Sequence, residues 1–367
     1  MGTAVDDNEA MHQAIRLGAS VRAFTAPNPW VGCIIETLDG RIVEGATEPP
    51  GGRHAEVVAL DAAGEAARGA TVWVTLEPCS HTGRTGPCAD ALVAAGVRRV
   101  VVALEDPDAK VAGAGIERLR AAGIEVEVGV LADQVRAQLA PYLKHRTTGR
   151  PWVVLKLGAS LDGRTAAPDG TSQWITGGAA RADAHRLRAE SGAIVVGAGT
   201  VRADDPSLTV RHGEAGHDPL RVVLGAAPPQ AKVQPAMEFV GELEDLLDEL
   251  GARGVLQVLV EGGATVAGAF HRAGLVDHYV LYLAPALFGG DDARPVFAGP
   301  GAETIADVWR GAITGVTQLG GDLRIDLHPV APSPVTGPVP VVRVGEVPAV
   351  TPAAPGHEAP DPDLGAG

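Results

Sequence analysis

Apolar positions along the chain fall into short runs, and these alternate with alanine- and leucine-rich segments at helical spacing. Residues 8–23 place Met11, Ile15 and Leu17 after an Asp/Asn-rich start, which predicts a helix. Residues 31–35 and 42–44 read as strands around Leu38-Asp39-Gly40, and the rigid Pro27-Asn28-Pro29 loop precedes them. Helices are expected over 54–68, 89–95, 116–122 and 132–144. Strands are expected over 71–76, 98–104 and 125–130. This alternation predicts an α/β domain with a largely parallel sheet.

Thr147-Thr148-Gly149-Arg150-Pro151 interrupts the pattern with polar residues, a glycine and a proline, which marks a boundary. Beyond it strands are expected over 152–157, 193–196, 221–224, 255–260 and 278–284. Helices are expected over 178–189, 242–250 and 265–273. The segment between Arg211 and Glu261 is short, and 234–241 shows no clear strand, so one edge of this second sheet is expected to be trimmed. The organisation is therefore a first α/β domain over 9–147, a second over 151–329, and a Pro/Gly-rich tail over 330–367 expected to be disordered.

Composition narrows the class. Apolar residues make up 46% and charged residues 20% of the 367, as in ordinary globular proteins. The net charge of −15 disfavours a nucleic-acid partner, whose phosphates are bound through Lys and Arg. One small phosphorylated ligand needs only a few local arginines. The three cysteines, Cys33, Cys79 and Cys88, are too few for a disulfide framework. Residues 1–9 lack a signal-peptide pattern, and no stretch is apolar enough to span a bilayer, so a cytoplasmic location is expected.

The strongest chemical signal is His54-Ala55-Glu56 followed by Pro78-Cys79 and Cys88. Catalytic zinc takes three protein ligands of this N/S type and lowers the pKa of water to about 7. Glu56, two positions from the histidine on a helix, is placed to move protons without ligating the metal. Zinc deaminases of nucleobases carry this pattern with two residues between the cysteines. Here the longer loop 80–87 intervenes. A closed structural site with His81 as fourth donor is the alternative. Cys33, in an apolar strand, reads as a core thiol.

The loop Cys79-Ser80-His81-Thr82-Gly83-Arg84-Thr85-Gly86-Pro87-Cys88 resembles that of the bifunctional riboflavin-biosynthesis deaminase–reductase family. Pro27-Asn28-Pro29-Trp30-Val31-Gly32-Cys33 and Thr75-Leu76-Glu77-Pro78 are similar to the same family, and the likeness runs over 9–329. It implies a cytidine-deaminase-like three-layer domain followed by a dihydrofolate-reductase-like domain. It implies as substrate a diaminopyrimidinone bearing a ribosylamine 5′-phosphate, with His54, Cys79 and Cys88 on Zn2+ and Glu56 catalytic. Asn28, His81 and Arg84 are the implied substrate contacts. Two positions depart from the family pattern. Thr47 stands where most relatives carry a histidine, and Gly86 where they carry a proline.

In the second half, Glu261-Gly262-Gly263-Ala264-Thr265 follows an apolar strand and opens a helix, a weak signal for a phosphate cradle. The resemblance implies NADPH there, held by Gly158, Trp174, Thr200, Asp204 and Gly263, Ala264, Thr265, Val266, Ala267, Gly268 and Ala269. It implies substrate contacts at Ser172, Arg188, Leu208, Arg211 and Glu261. Lys156 and Asp204 are candidate proton donors. A homodimer or higher homo-oligomer is implied by the same likeness. The competing readings are a nucleic-acid-editing deaminase and a zinc-stabilised scaffold without turnover. The acidic charge, the long cysteine loop and the second domain count against the first.

Overall fold

Apolar strands become sheets only where helices cover them, and here two sheets form in succession. The computed structural model describes residues 5–80, 86–108, 111–211 and 218–330. Most of the expected tail lies outside the described residues.

The first sheet contains β1 (Gly32–Glu36), β2 (Ile42–Ala46), β3 (Thr71–Leu76), β4 (Arg99–Leu104) and β5 (Glu125–Val128). Their order is β2-β1-β3-β4-β5. β1 is antiparallel to both β2 and β3, and β3, β4 and β5 run parallel. The surrounding helices are α1 (Asp7–Ser20), α2 (Arg22–Thr25), α3 (Ala55–Ala63), α4 (Cys88–Ala95), α5 (Ala114–Ala121), α6 (Ala132–Gln138) and α7 (Ala140–Thr148). Asp6 starts α1 by accepting the Asn8 and Glu9 backbone N–H groups at 2.9 and 3.2 Å. Two glycines set how closely helices approach the sheet. A Cβ on Gly32 would lie 1.9 Å from the Ala14 carbonyl of α1, and one on Gly45 would lie 2.2 Å from the Ala55 carbonyl of α3. Gly45 pairs with Cys33, the neighbour of Gly32, so the two glycines face opposite sides. α1 and α3 therefore sandwich the sheet, and every residue of β3 is buried.

The second sheet is built from β6 (Trp152–Ser160), β8 (Ala193–Gly197), β9 (Leu220–Leu224), β10 (Met237–Phe239), β11 (Gln257–Val260), β12 (His278–Ala284), β14 (Gly311–Leu319) and β15 (Asp322–Pro329). Their order is β10-β9-β8-β11-β6-β12-β15-β14. A separate ribbon pairs β7 (Arg164–Ala166) with β13 (Arg294–Pro295). The strands from β10 to β12 are parallel, and β15 and β14 close one side as an antiparallel hairpin. Helices α8 (Gly178–Ala189), α9 (Ala198–Asp204), α10 (Leu243–Ala252) and α11 (Ala264–Arg272) connect them. Alternation along β6 sends Val153, Leu155 and Leu157 into one core and Val154 into the other, so both faces are apolar.

Several elements differ from the expectation. The segment expected to lack a strand contains β10, which pairs with β9 from Met237–Val222 to Phe239–Leu224, so that edge is not trimmed. A three-residue edge strand with Glu238 at its centre leaves no apolar run to read. The single helix expected over 54–68 ends at Ala63 because Gly64 adopts φ +59°, and a short 3-10 turn follows. The helix expected over 132–144 breaks at Leu139, ahead of Pro141.

Side chains tie the two sheets together. Arg22 Nη2 donates to Gln257 Oε1 at 2.6 Å, and Lys144 Nζ lies 2.5 Å from Asp277 Oδ2. Leu256 joins the apolar core of the first sheet. Among the described residues no helix is long and apolar enough to cross a membrane. Gly32→Ala is expected to destabilise the protein by about 2–3 kcal/mol, since α1 cannot retreat from a new methyl without opening the core. A shift of the urea unfolding midpoint to lower concentration checks this.

Candidate active sites

Three chain segments bring the metal donors together. His54 is the N-cap of α3, Cys79 follows β3 after Glu77 and Pro78, and Cys88 is the first residue of α4. His54 Nδ1 lies 3.6 Å from Cys79 Sγ and 3.2 Å from Cys88 Sγ. The three donor atoms lie within 4.8 Å of one another. One imidazole nitrogen and two thiols this close form the soft, open donor set that catalytic zinc prefers. The hydrogen bond from Cys88 pulls the Cys79 thiol well below its usual range, and the same bond together with burial holds Cys88 above it. Among the described residues no fourth donor joins this group. His81, the alternative fourth donor, and Arg84 lie outside the described residues.

Glu56 sits on the first turn of α3, is only 3% exposed, and is not among the metal donors. Burial pushes its carboxyl up to about 7, against the opposing pull of its own backbone N–H and of His54. It lines a cavity of about 230 Å³ together with His54, Cys79 and Asn28. Cys33 is fully buried, and burial holds its thiol well above the ordinary range, as suits a core residue.

Other residues of this cavity escaped the sequence reading. Glu77 Oε1 accepts the Gly115 and Ile116 backbone N–H groups at 2.9 and 3.2 Å, and Oε2 accepts those of Gly113 and Asp106 at 3.0 and 3.2 Å. Asp106 is buried and accepts from Tyr142 Oη at 3.0 Å. Burial pushes its carboxyl up, offset in part by the Asp108 N–H and Tyr142. The available signal was Asp106-Pro107-Asp108 just past the end of β4, where ligands of open α/β sheets gather. Thr47 lines the cavity, its hydroxyl accepting the Val31 N–H at 3.1 Å.

A second cavity of about 950 Å³ opens at the carboxyl ends of β6, β8, β9 and β11. Gly158, Ser172, Trp174, Thr200, Asp204, Glu261 and the run Gly263, Ala264, Thr265 and Val266 all line it. The Gly263 N–H donates to Thr200 Oγ1 at 3.2 Å, fixing the start of α11. The Trp174 ring is exposed, and the Arg181 guanidinium carbon lies 4.5 Å from its centroid. Lys156 and Asp204 both line the cavity, and burial pushes the Asp204 carboxyl up against the pull of Arg294.

Glu261 is the electrostatic centre of this region. Arg188 holds it in a two-pronged pair at 2.7 and 2.9 Å, and Lys156 Nζ lies 3.7 Å away. Burial alone would raise its carboxyl, but Lys156 and Arg188 outweigh it and hold the group down at about 2.

The remaining expected residues stand off the cavity wall. Ala267 is fully buried in the core, and a Cβ on Gly268 would lie 2.2 Å from the Ala298 carbonyl. These two residues pack α11 down, and Ala269 beside them is likewise not part of the lining. The cradle therefore ends at Val266, because a helix turns its successive residues away from one ligand. Arg188 points at Glu261 and at the Thr209 carbonyl, 3.3 Å away. Leu208 is buried, and Arg211 is exposed with its N–H on His185 Nδ1 at 3.3 Å. Of these three, Arg188 is joined to the cavity through Glu261, and Leu208 and Arg211 are not part of its lining. Arg202 and Arg294 line the cavity without having been expected, since nothing in their sequence context marks them.

Comparison with known proteins finds a family match for each half of the chain. Residues 4–104 match the family pattern of the cytidine and deoxycytidylate deaminase zinc-binding region, and residues 151–324 match the RibD C-terminal domain. The chain is 47% identical over 334 residues to the riboflavin biosynthesis protein RibD of Mycobacterium tuberculosis, covering 87% of this chain and 96% of that protein. It is 41% identical over 366 residues to the RibD protein of Escherichia coli, covering 88% and 99%. The solved structure of Acinetobacter baumannii RibD superposes with a TM-score of 0.83 at 42% identity, covering 89% of this chain and 99% of that one. With a zinc-type donor set in one α/β unit and a large strand-end cavity in the next, the chain belongs to the RibD family of riboflavin biosynthesis and is a bifunctional pyrimidine deaminase and reductase.

Proposed function

We propose that the region 9–147 hydrolytically deaminates 2,5-diamino-6-(5-phosphoribosylamino)pyrimidin-4(3H)-one, and that the region 151–329 then reduces the ribosyl side chain to ribityl with NADPH. The observation that carries the first half is the separation of roles around one cavity. Three donors converge, while the buried Glu56 beside them belongs to no donor group. His54, Cys79 and Cys88 would hold the zinc, which would supply the Lewis acidity that makes water a nucleophile near neutral pH. Glu56, its carboxyl near neutrality through burial, takes a proton and returns it to the departing amine nitrogen, which leaves as ammonia. Asn28, on the proline-flanked loop, presents an amide to the ring, and Asp106 offers a buried acceptor beside it. A structural scaffold would not need a proton-transfer carboxylate held at such a pKa.

The reductase reading rests on size and backbone. A cavity of about 950 Å³ is at the large end for small-molecule sites and suits a dinucleotide beside a second ligand. No atom lies within 4 Å of a Cβ placed on Gly199, and Gly158 meets only a Thr176 methyl at 3.7 Å, so both glycines leave open walls. NADPH supplies the hydride. Ala264 to Val266, in the first turn of α11, would offer backbone N–H groups to its phosphates, with Gly263, Thr200, Trp174 and Asp204 beside them. Ser172 and Glu261 face the substrate, and Arg188 keeps Glu261 ionised, while Leu208 and Arg211 stand outside the lining. Lys156, beside Glu261, is the better-placed proton donor. A homodimer built on the second sheet is supported by exposed Ile313 and Val316 on its edge strand β14. A cytoplasmic setting is supported by cysteines that are all unpaired.

The decisive assay supplies the diaminopyrimidinone phosphate without NADPH and follows ammonia, then adds NADPH and follows its oxidation. Glu56→Gln is expected to lower ammonia release by about 100-fold or more while keeping stoichiometric zinc and NADPH oxidation on the deaminated compound. Undiminished deamination removes Glu56 from the mechanism. Cys88→Ser is expected to lose bound zinc, read by elemental analysis, together with deamination. Arg188→Ala leaves Glu261 with Lys156 at 3.7 Å as its remaining described cation partner and is expected to cost about 3 kcal/mol of stability and raise the reductase KM. Thermal unfolding and steady-state kinetics check the two effects.

A further inference from the structure

We infer that Arg146 is a phosphate-binding side chain of the deaminase cavity. This rests on the reading that the substrate is a phosphorylated pyrimidine and goes on to name how that phosphate is held. The walls of the cavity are otherwise hostile to a dianion. Glu56, Glu77, Asp106 and Asp108 all line it. The Glu77 oxygens are occupied by backbone N–H groups, and Asp106 accepts from Tyr142 Oη and the Asp108 N–H, yet both carboxylates keep negative charge in the wall. Among the described lining residues the cations are the metal-type ligand His54 and Arg146. Thr47 contributes a neutral hydroxyl already bonded to the Val31 backbone. Arg53, next to His54 in sequence, has its guanidinium taken up by Glu48 and Asp61 and does not line the cavity. A phosphorylated ligand therefore has one described guanidinium to reach.

The geometry of Arg146 suits that task. It lies near the end of α7, and its guanidinium carbon sits 5.0 Å from the centroid of the Tyr142 ring, which orients the planar group. Its side chain is 30% exposed, so it stands at the rim, whereas Glu56 lies buried at the metal donors. A substrate whose ring reaches His54 and Glu56 carries its phosphate at the far end of a ribose, and the rim is where that end emerges. Beside its bond to Tyr142, the contacts of Arg146 with a carboxylate and a carbonyl are long. Nε lies 3.6 Å from Asp108 Oδ2, and Nη2 lies 3.5 Å from the Pro27 carbonyl. Neither is the short two-pronged pairing in which a guanidinium is saturated, as Arg188 is on Glu261. The fork thus keeps donors for a phosphate, and its contact with Pro27 places the bound phosphate next to the loop that carries Asn28.

The test uses the zinc-loaded full chain without NADPH, so that ammonia release reports the deaminase site alone. The phosphorylated substrate is compared with its 5′-hydroxyl counterpart. Arg146→Ala is expected to lower the ratio of kcat/KM between the two compounds by about tenfold or more, chiefly through KM, and Arg146→Lys to restore part of it. Ribose 5-phosphate is expected to inhibit ammonia release competitively, with an inhibition constant that rises by about tenfold or more in Arg146→Ala. Arg146→Gln, which keeps a donor toward Pro27, is measured beside it so that a folding defect in the alanine variant does not decide the result. An unchanged ratio and unchanged inhibition in Arg146→Gln overturn the assignment and leave Arg146 a buttress for the Pro27 loop. If the wild-type chain releases no ammonia from either compound, the substrate reading itself falls and takes this assignment with it.

Discussion

A carboxylate buried without partners would cost more than a domain of this size can bear, and Glu77 escapes that cost by accepting four backbone N–H groups. Those amides belong to Asp106 and to the start of α5, so one side chain at the end of β3 organises a loop that follows β4. The same clamp holds Pro78 against Gly115, where a Cβ would come within 1.9 Å of the Pro78 carbonyl. Cys79 is the next residue. The position of a metal donor and the position of the buried Asp106 are therefore set by one carboxylate that is not itself in the donor group.

The second domain solves a related problem with the opposite chemistry. The Glu261 side chain is also largely buried, but side-chain cations rather than backbone amides compensate it. Backbone amides leave a group rigid and neutral toward ligands, which suits a structural clamp. A carboxylate held ionised by Arg188 and Lys156 keeps its charge in a cavity wall, which suits recognition of a polar ring or sugar. The metal site itself follows the general rule that the open donor set comes from separate elements, here a helix cap, a strand end and a helix start.

The zinc donors and Glu56 were legible because few residue types can do that chemistry, and their order along the chain survives any change of loop length. The alternation of strands and helices was legible wherever strands were buried on both faces, as in β3, β8 and β11. It failed at the margins. β10 is too short to show a period, and β14 and β15 are largely solvent-facing, so neither writes an apolar run into the sequence. The pairing of Arg188 with Glu261 bridges two distant segments, and no local pattern announces it. Glu77 was visible as a residue but not as a clamp, because its partners are amides that every residue possesses. Of the expected run on α11, Ala267, Gly268 and Ala269 stand off the cavity wall, because successive residues of a helix turn away from one side.

The bond from Arg22 to Gln257 bears on why both activities reside in one polypeptide. Gln257 stands at the root of β11, the strand that ends in Glu261, and Arg22 lies over the Trp30 ring beside the Asn28 loop. Encoding the halves as separate proteins would turn Leu256, which fills the first core, out into solvent and would strand Asp277 without Lys144. Each half would need new polar surface at those positions before it could stand alone. Their fusion is therefore maintained by shared side chains as much as by the peptide link between them.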